Sequence, residues 1–136
     1  MESTYRLRRQ TNRWARFAEV GVRVVPATRA EVVIGADVFG RRRSAAVDGG
    51  LNVDSEAEAR EGAWYALRRL PEHAGDLLVE ITAVVVAPAD TGPGDVKFAA
   101  AHAVWQALGH VPSHPPFTGG DGSPVFPADG VHDPGL

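Results

Sequence analysis

Apolar and polar residues alternate along the first third of the chain. Tyr5-Arg6-Leu7-Arg8-Arg9 sets Tyr5 and Leu7 on one side and Arg6 and Arg8 on the other, the period-two pattern of a half-buried strand. Phe17 to Val25 resumes it, with Ala18, Val20, Val22 and Val24 against Phe17, Glu19, Gly21 and Arg23. Pro26 stops this second run, because its nitrogen has no hydrogen to give a ladder. Glu31 to Phe39 reads as a third strand, β-branched at Val32, Val33 and Ile34. Three such runs separated by short breaks predict an antiparallel meander.

The period then lengthens. Ser55 followed by Glu58 has the spacing of a capping box, in which the hydroxyl and the carboxylate each satisfy an orphan N–H of a helix start. Ala59, Ala63, Ala66, Leu67 and Leu70 form one stripe of that helix, and Pro71 ends it. Trp64 and Tyr65 flank the stripe and read as packing at the edge of the core. Asp76 to Pro88 is the longest strand. It is nearly all apolar from Ala83 onward, which predicts a central position, with Leu77, Val79, Ile81, Ala83 and Val85 sharing a face. Asp95 is a good N-cap for a second, alanine-rich helix that Gly109 closes. His102 stands alone between its alanines and reads as a packed side chain. From His110 proline and glycine dominate without any period. That segment either wraps over the domain, pinned by Val111, Phe117 and Phe126, or is mobile.

Composition narrows the class. The 136 residues suffice for one domain with a core of its own, and the absence of cysteine excludes disulfides and thiolate metal sites. No apolar run approaches the roughly 20 residues needed to cross a bilayer, and Met1 to Arg6 lacks the apolar stretch of a secretory signal. A soluble, cytoplasmic protein without a membrane partner is expected. The net charge of −3 conceals an asymmetry: residues 1–43 hold ten arginines against four acids, net +6, and the remainder holds four cations against thirteen acids, net −9. A basic first third suits an anionic partner.

Candidate chemistry points the same way. No Gly-x-x-x-x-Gly-Lys-[Ser/Thr] phosphate loop occurs, and none of the five histidines sits in a nucleophile motif. His110 and His114 are four apart, but Gly109, Pro112 and Pro115 deny them a helix face. No enzyme signature, cofactor site or metal site is expected. The bend between the first two strands carries Asn12, Arg13, Trp14 and Arg16, guanidinium groups beside an indole on which a base could stack. Arg6, Arg8, Arg41, Arg42 and Arg43 are the candidate phosphate contacts. The competing reading makes the same scaffold a protein-interaction or assembly module, with Trp14, Phe39 or the proline-rich tail as the contact surface.

The order is strand, strand, strand, helix, strand, helix. Taken with Arg9-Gln10-Thr11 leading into Phe17-Ala18-Glu19-Val20, Gly49-Gly50-Leu51 before the first helix, Val79-Glu80-Ile81-Thr82, and Asp95-Val96-Lys97-Phe98-Ala99-Ala100, it resembles domain IV of the translational GTPase elongation factor G. The resemblance spans roughly Tyr5 to Gly109. It implies an α+β two-layer sandwich of the ribosomal protein S5 domain 2-like kind, β-β-β-α-β-α, with a left-handed crossover. It divides the chain into a domain over 1–109 and a proline- and glycine-rich tail over 110–136. Residues 12–16 and 87–91 would form a tip that, in the family, enters the ribosomal A site. Asn12, Arg13 and Ala15 stand where the family carries glycines, Ala89 stands where it carries a tip histidine, and the GTPase is missing. The expectation is a stand-alone, non-catalytic module that binds RNA or the ribosome.

Overall fold

A computed structural model describes residues 1–11, 14–35, 38, 54–87 and 89–127. In chain order the elements are β1 (Glu2–Gln10), β2 (Ala15–Pro26), β3 (Glu31–Ile34), α1 (Ser55–Arg68), a single 3-10 turn over Glu72–Ala74, β4 (Leu77–Val86), α2 (Asp95–Leu108), β5 (Phe117–Thr118) and β6 (Pro124–Val125). The first four strands form one mixed sheet in the order β1-β2-β4-β3, and the two helices cover one of its faces. The chain is therefore an α+β protein with two layers.

The meander predicted from the first three runs does not form. β1 and β2 are an antiparallel hairpin, but β3 pairs with β4, in parallel, and β4 lies between β2 and β3. Strand length explains the exchange. β2 has 12 residues and β4 has 10, whereas β3 has only four. The long apolar strands satisfy each other's ladders in the middle, and the short one takes the edge, where fewer backbone groups need partners. The break after Pro26 carries the chain past the start of β4, where the Ala27 N–H donates to the Asp76 carbonyl at 3.0 Å.

Along β2 the alternation holds: Ala18, Val20, Val22 and Val24 are all buried beneath the helices. Along β4 it does not. Val22 pairs with Ile81 and Gly21 with Ala83, so Thr82 is an extra residue opposite that junction. This bulge switches the face on which later side chains point. Leu77, Val79 and Ile81 face the helices, and after the bulge Val84 joins them in place of Ala83 and Val85.

Both helices run in the same direction, side by side. Gly62, at the middle of α1, is where they touch. A Cβ there would lie 2.7 Å from the Ala100 Cβ and would collide with the Lys97 carbonyl. One turn on, the Trp105 indole, buried in the core, donates to the Ala66 carbonyl at 3.2 Å. Tyr65 is buried and Trp64 half-buried against the same core, as their position beside the stripe predicts. His102 is packed too: its ring stacks on Tyr5 at 4.8 Å and meets Phe98 at 4.5 Å. Burial in that aromatic group pulls its pKa below the ordinary histidine value.

Helix starts differ from the sequence reading in one respect. Asp54, not Ser55, is the N-cap of α1; its carboxylate accepts from the Ala57 N–H at 3.0 Å, and Ser55 is buried inside the first turn. Likewise Gly94, left-handed at φ 88°, precedes α2, and Asp95 is the first helical residue. Gly109 closes α2 in the left-handed conformation expected of it.

Candidate nucleic-acid interface

Two loops meet at one end of the sandwich. The β1–β2 bend is closed by the Thr11 N–H donating to the Trp14 carbonyl at 2.8 Å and by the Trp14 N–H donating to the Thr11 hydroxyl at 3.2 Å. Beside it lies the connection from β4 to α2. Its Thr91 hydroxyl accepts from the Ala87 N–H at 2.9 Å and donates to the Phe17 carbonyl at 2.6 Å, while the Phe17 N–H donates to the Asp90 carbonyl at 3.1 Å. Thr91 is buried, so these bonds form a hydroxyl-centred clamp between the two stretches.

Beneath the clamp is a buried charge cluster. The Asp95 side chain is fully buried, accepts from the Gly92 N–H at 2.7 Å, and lies 3.7 Å from an Arg16 nitrogen. Burial pushes the Asp95 carboxyl up to about 6; the Gly92 N–H and Arg16 pull the other way, and Glu58 adds to the rise. Glu58 does not close a capping box on its own helix. It reaches across to α2, accepting from the Gly94 N–H at 3.0 and 3.1 Å and from the Lys97 N–H at 3.2 Å. Burial raises its pKa as well, against those backbone bonds. The α2 start is thus capped by a carboxylate borrowed from α1.

The C-terminal segment covers this end and one side. It is held in place by Phe126, which packs edge-on against Tyr65 at 5.4 Å, and by the Pro127 carbonyl, which accepts from the Tyr65 hydroxyl at 2.9 Å and from Arg69 at 3.0 Å. Of the three residues expected to pin it, only Phe126 does so; Val111 is 82% exposed and Phe117 54%. The turn between β5 and β6 sets buried Gly122 against the Trp14 ring, where a Cβ would lie 2.5 Å from the ring carbon Cδ2. Nothing in the local sequence signals that contact, because it joins residues more than a hundred positions apart.

The candidate contacts are spread around this end. Trp14 is half-buried, one side of its ring against Gly122. Arg16 faces the helix side of the sheet and is engaged by Asp95 and, at 3.4 Å, by the Ser123 hydroxyl. Arg6 and Arg8 project from the opposite, helix-free face. Arg6 pairs with Glu19 at 2.7 Å, while Arg8 and its neighbour Arg9 are exposed and have no carboxylate partner among the described residues. Asn12, Arg13 and Arg41 to Arg43, together with Phe39 and Gly49 to Leu51, lie outside the described residues. Among the described residues no three of His, Asp and Glu are grouped to hold a metal ion, and no described helix is long and apolar enough to cross a membrane.

The fold and this loop end define a two-layer α+β domain with a clamped, arginine-bearing tip. No family model matches the chain, and no curated protein matches it. Among solved structures, the crystal structure of a protein from Thermus thermophilus is similar, with a TM-score of 0.57 and 17% identity. The alignment covers 80% of this chain and 16% of that one, so this chain spans about a sixth of the length of its structural relative. At that identity the likeness is one of fold alone.

Proposed function

We propose that the protein is a non-catalytic RNA-binding module, related to the elongation factor G domain that enters the ribosomal A site, and that its ligand is ribosomal RNA. The observation that carries this reading is the clamp that ties the start of β2, at the end of the β1–β2 bend, to the 87–91 stretch. The bend and that stretch are the two parts that the sequence resemblance assigns to the tip, and they come from segments about 75 residues apart in the chain. Arg8 and Arg9 lead into the bend with their guanidinium groups exposed, where they can meet phosphate oxygens. The likeness to a minor part of a longer Thermus chain supports reading this fold as a unit that larger proteins also carry.

The test is co-sedimentation with ribosomes and a salt-titrated binding isotherm with ribosomal RNA. Wild type should pellet, and its affinity should fall with salt at about 0.7 log unit per log unit for each phosphate contact on a single strand. Arg8→Ala with Arg9→Ala should lower that slope by about 1.4, and Arg13→Ala should lower it further. Wild-type binding with a flat salt response, or no pelleting at all, would remove the reading.

A second reading is favoured by one specific feature. Phe117 and Val125 are directly paired across the β5–β6 ladder and are both exposed, at 54% and 38%. An exposed apolar pair on the outer side of this hairpin suits a protein partner. Sedimentation of Phe117→Ser beside wild type distinguishes the cases, since only a protein-docking or self-associating hairpin would respond to that change.

A further inference from the structure

We propose that the outward surface of α1 carries a second site, a groove that binds a nucleoside phosphate. The groove holds about 390 Å³ and is lined by Arg60, Glu61, Trp64, Tyr65, Arg68 and Lys97. A mononucleotide fits a cleft of that size. Three cations against one carboxylate leave the lining net positive, in a half of the chain that is otherwise acidic. Arg60, Trp64 and Arg68 follow one another at four-residue intervals, so they form a single row along the helix with the indole between two guanidinium groups. That order, cation, ring, cation, is the one that engages a base through its face and its flanking phosphates through charge.

Two of the cations are held in place before any ligand arrives. An Arg60 nitrogen donates to the Val32 carbonyl at 3.3 Å, which fixes it toward the β3 side. The Lys97 ammonium sits 4.3 Å above the Phe126 ring and 5.5 Å from the Tyr65 ring, which fixes it toward the α2 side. Tyr65 is occupied: Arg69 lies 3.5 Å over its ring, and its hydroxyl is bound to Pro127. Trp64, half-buried in the groove wall, is stacked by no described ring, which leaves it as the platform for a base. Glu61 is the one carboxylate among the described lining residues, an acceptor suited to a ribose hydroxyl or an exocyclic amine. The tip reading does not require this groove, and the groove does not require the tip.

A free nucleotide and one nucleotide of a single strand present the same chemistry, so the test uses both. Full-length protein labelled with nitrogen-15 is titrated with adenosine monophosphate and, separately, with a six-residue oligoadenylate. Trp64→Phe identifies the Trp64 indole signal. That signal should shift, while the Trp105 indole, buried and bonded to Ala66, stays put. Arg60→Gln with Arg68→Gln, both at exposed positions, should weaken binding at least tenfold. Arg8→Ala with Arg9→Ala should leave the groove's affinity for the mononucleotide unchanged, which separates failure here from failure at the tip. A Trp64 shift with the mononucleotide identifies a free nucleotide as a sufficient ligand; a shift with the oligomer alone identifies a strand. No shift of Trp64 with either, or full affinity in the Arg60/Arg68 variant, overturns the proposal.

Discussion

Gly62→Ala should destabilise the protein, although helix propensity alone says the reverse. In an exposed helix interior, alanine is favoured over glycine by about 1 kcal/mol. Here the added methyl would sit 2.7 Å from the Ala100 Cβ and closer still to the Lys97 carbonyl. Carbon atoms rest at about 3.5 to 4.0 Å, so the helices must separate by roughly 1 Å at their contact. That movement stretches the Glu58 bonds to Gly94 and Lys97 and the Trp105 bond to Ala66, all of which bridge the same pair of helices. Overpacking costs about 1–3 kcal/mol, and the contact with a backbone carbonyl places this case in the upper half of that range, against a propensity gain of about 1 kcal/mol. The net expectation is a loss of about 1–2 kcal/mol, a fall of several degrees in Tm for a chain of this length. Urea denaturation followed by circular dichroism measures it. In a double-mutant cycle with Ala100→Gly, a coupling above about 0.5 kcal/mol should appear, since the two groups share one space. A Gly62→Ala variant that is more stable than wild type, with no coupling to Ala100, would refute the close approach of the helices.

Three further outcomes are expected. Asp95 titrates near 6 in the folded protein against 3.8 as the reference, so the folded state holds its proton more tightly. The stabilisation is complete below about pH 4 and is lost as pH rises toward 6, by about 3 kcal/mol. Asp95→Asn should flatten that part of the stability profile, and parallel profiles for variant and wild type in urea would contradict the assignment. Glu58→Ala removes a carboxylate that accepts from two backbone N–H groups, those of Gly94 and Lys97, at the α2 start, and should cost about 1–2 kcal/mol, with Glu58→Gln intermediate, by thermal melting. Gly122→Ala drives a methyl into the Trp14 ring and adds strain at φ 87°, so limited proteolysis should cut the 110–127 segment faster than in wild type; equal rates would count against the Trp14–Gly122 contact.

The elements themselves are legible because each carries its own period. Leu7 with Tyr5, and the valines of β2, report a strand without reference to anything distant. Pro71 and Gly109 stop the helices by local chemistry. Pairing is not legible to the same degree. The proximity of three runs argues for a meander, yet the competition that places β4 beside β2 is decided by the relative lengths of strands far apart in the chain. The bulge at Thr82 is invisible for the same reason, since alternating apolar residues continue through it and only the partner at Gly21 reveals the slip. Glu58 is the sharpest case. Its spacing from Ser55 matches a local cap, but Asp54 already fills that role, and the carboxylate is free to serve the neighbouring helix. At the tip, Trp14 and Arg16 are identifiable as unusual residues in a bend. Their partners Gly122, Ser123 and Asp95 arrive only through the tertiary fold.

The shared direction of α1 and α2 has an electrical consequence. Aligned peptide groups give each helix about half a positive charge at its start, and here both starts lie at the clamped end, where two such poles repel and their fields add. Asp54, Glu58 and Asp95 stand at those poles and cancel them. Acidification protonates the raised carboxyls of Glu58 and Asp95 and so uncovers part of the combined field. The clamped end is therefore a surface whose attraction for polyanions grows as the medium becomes more acidic.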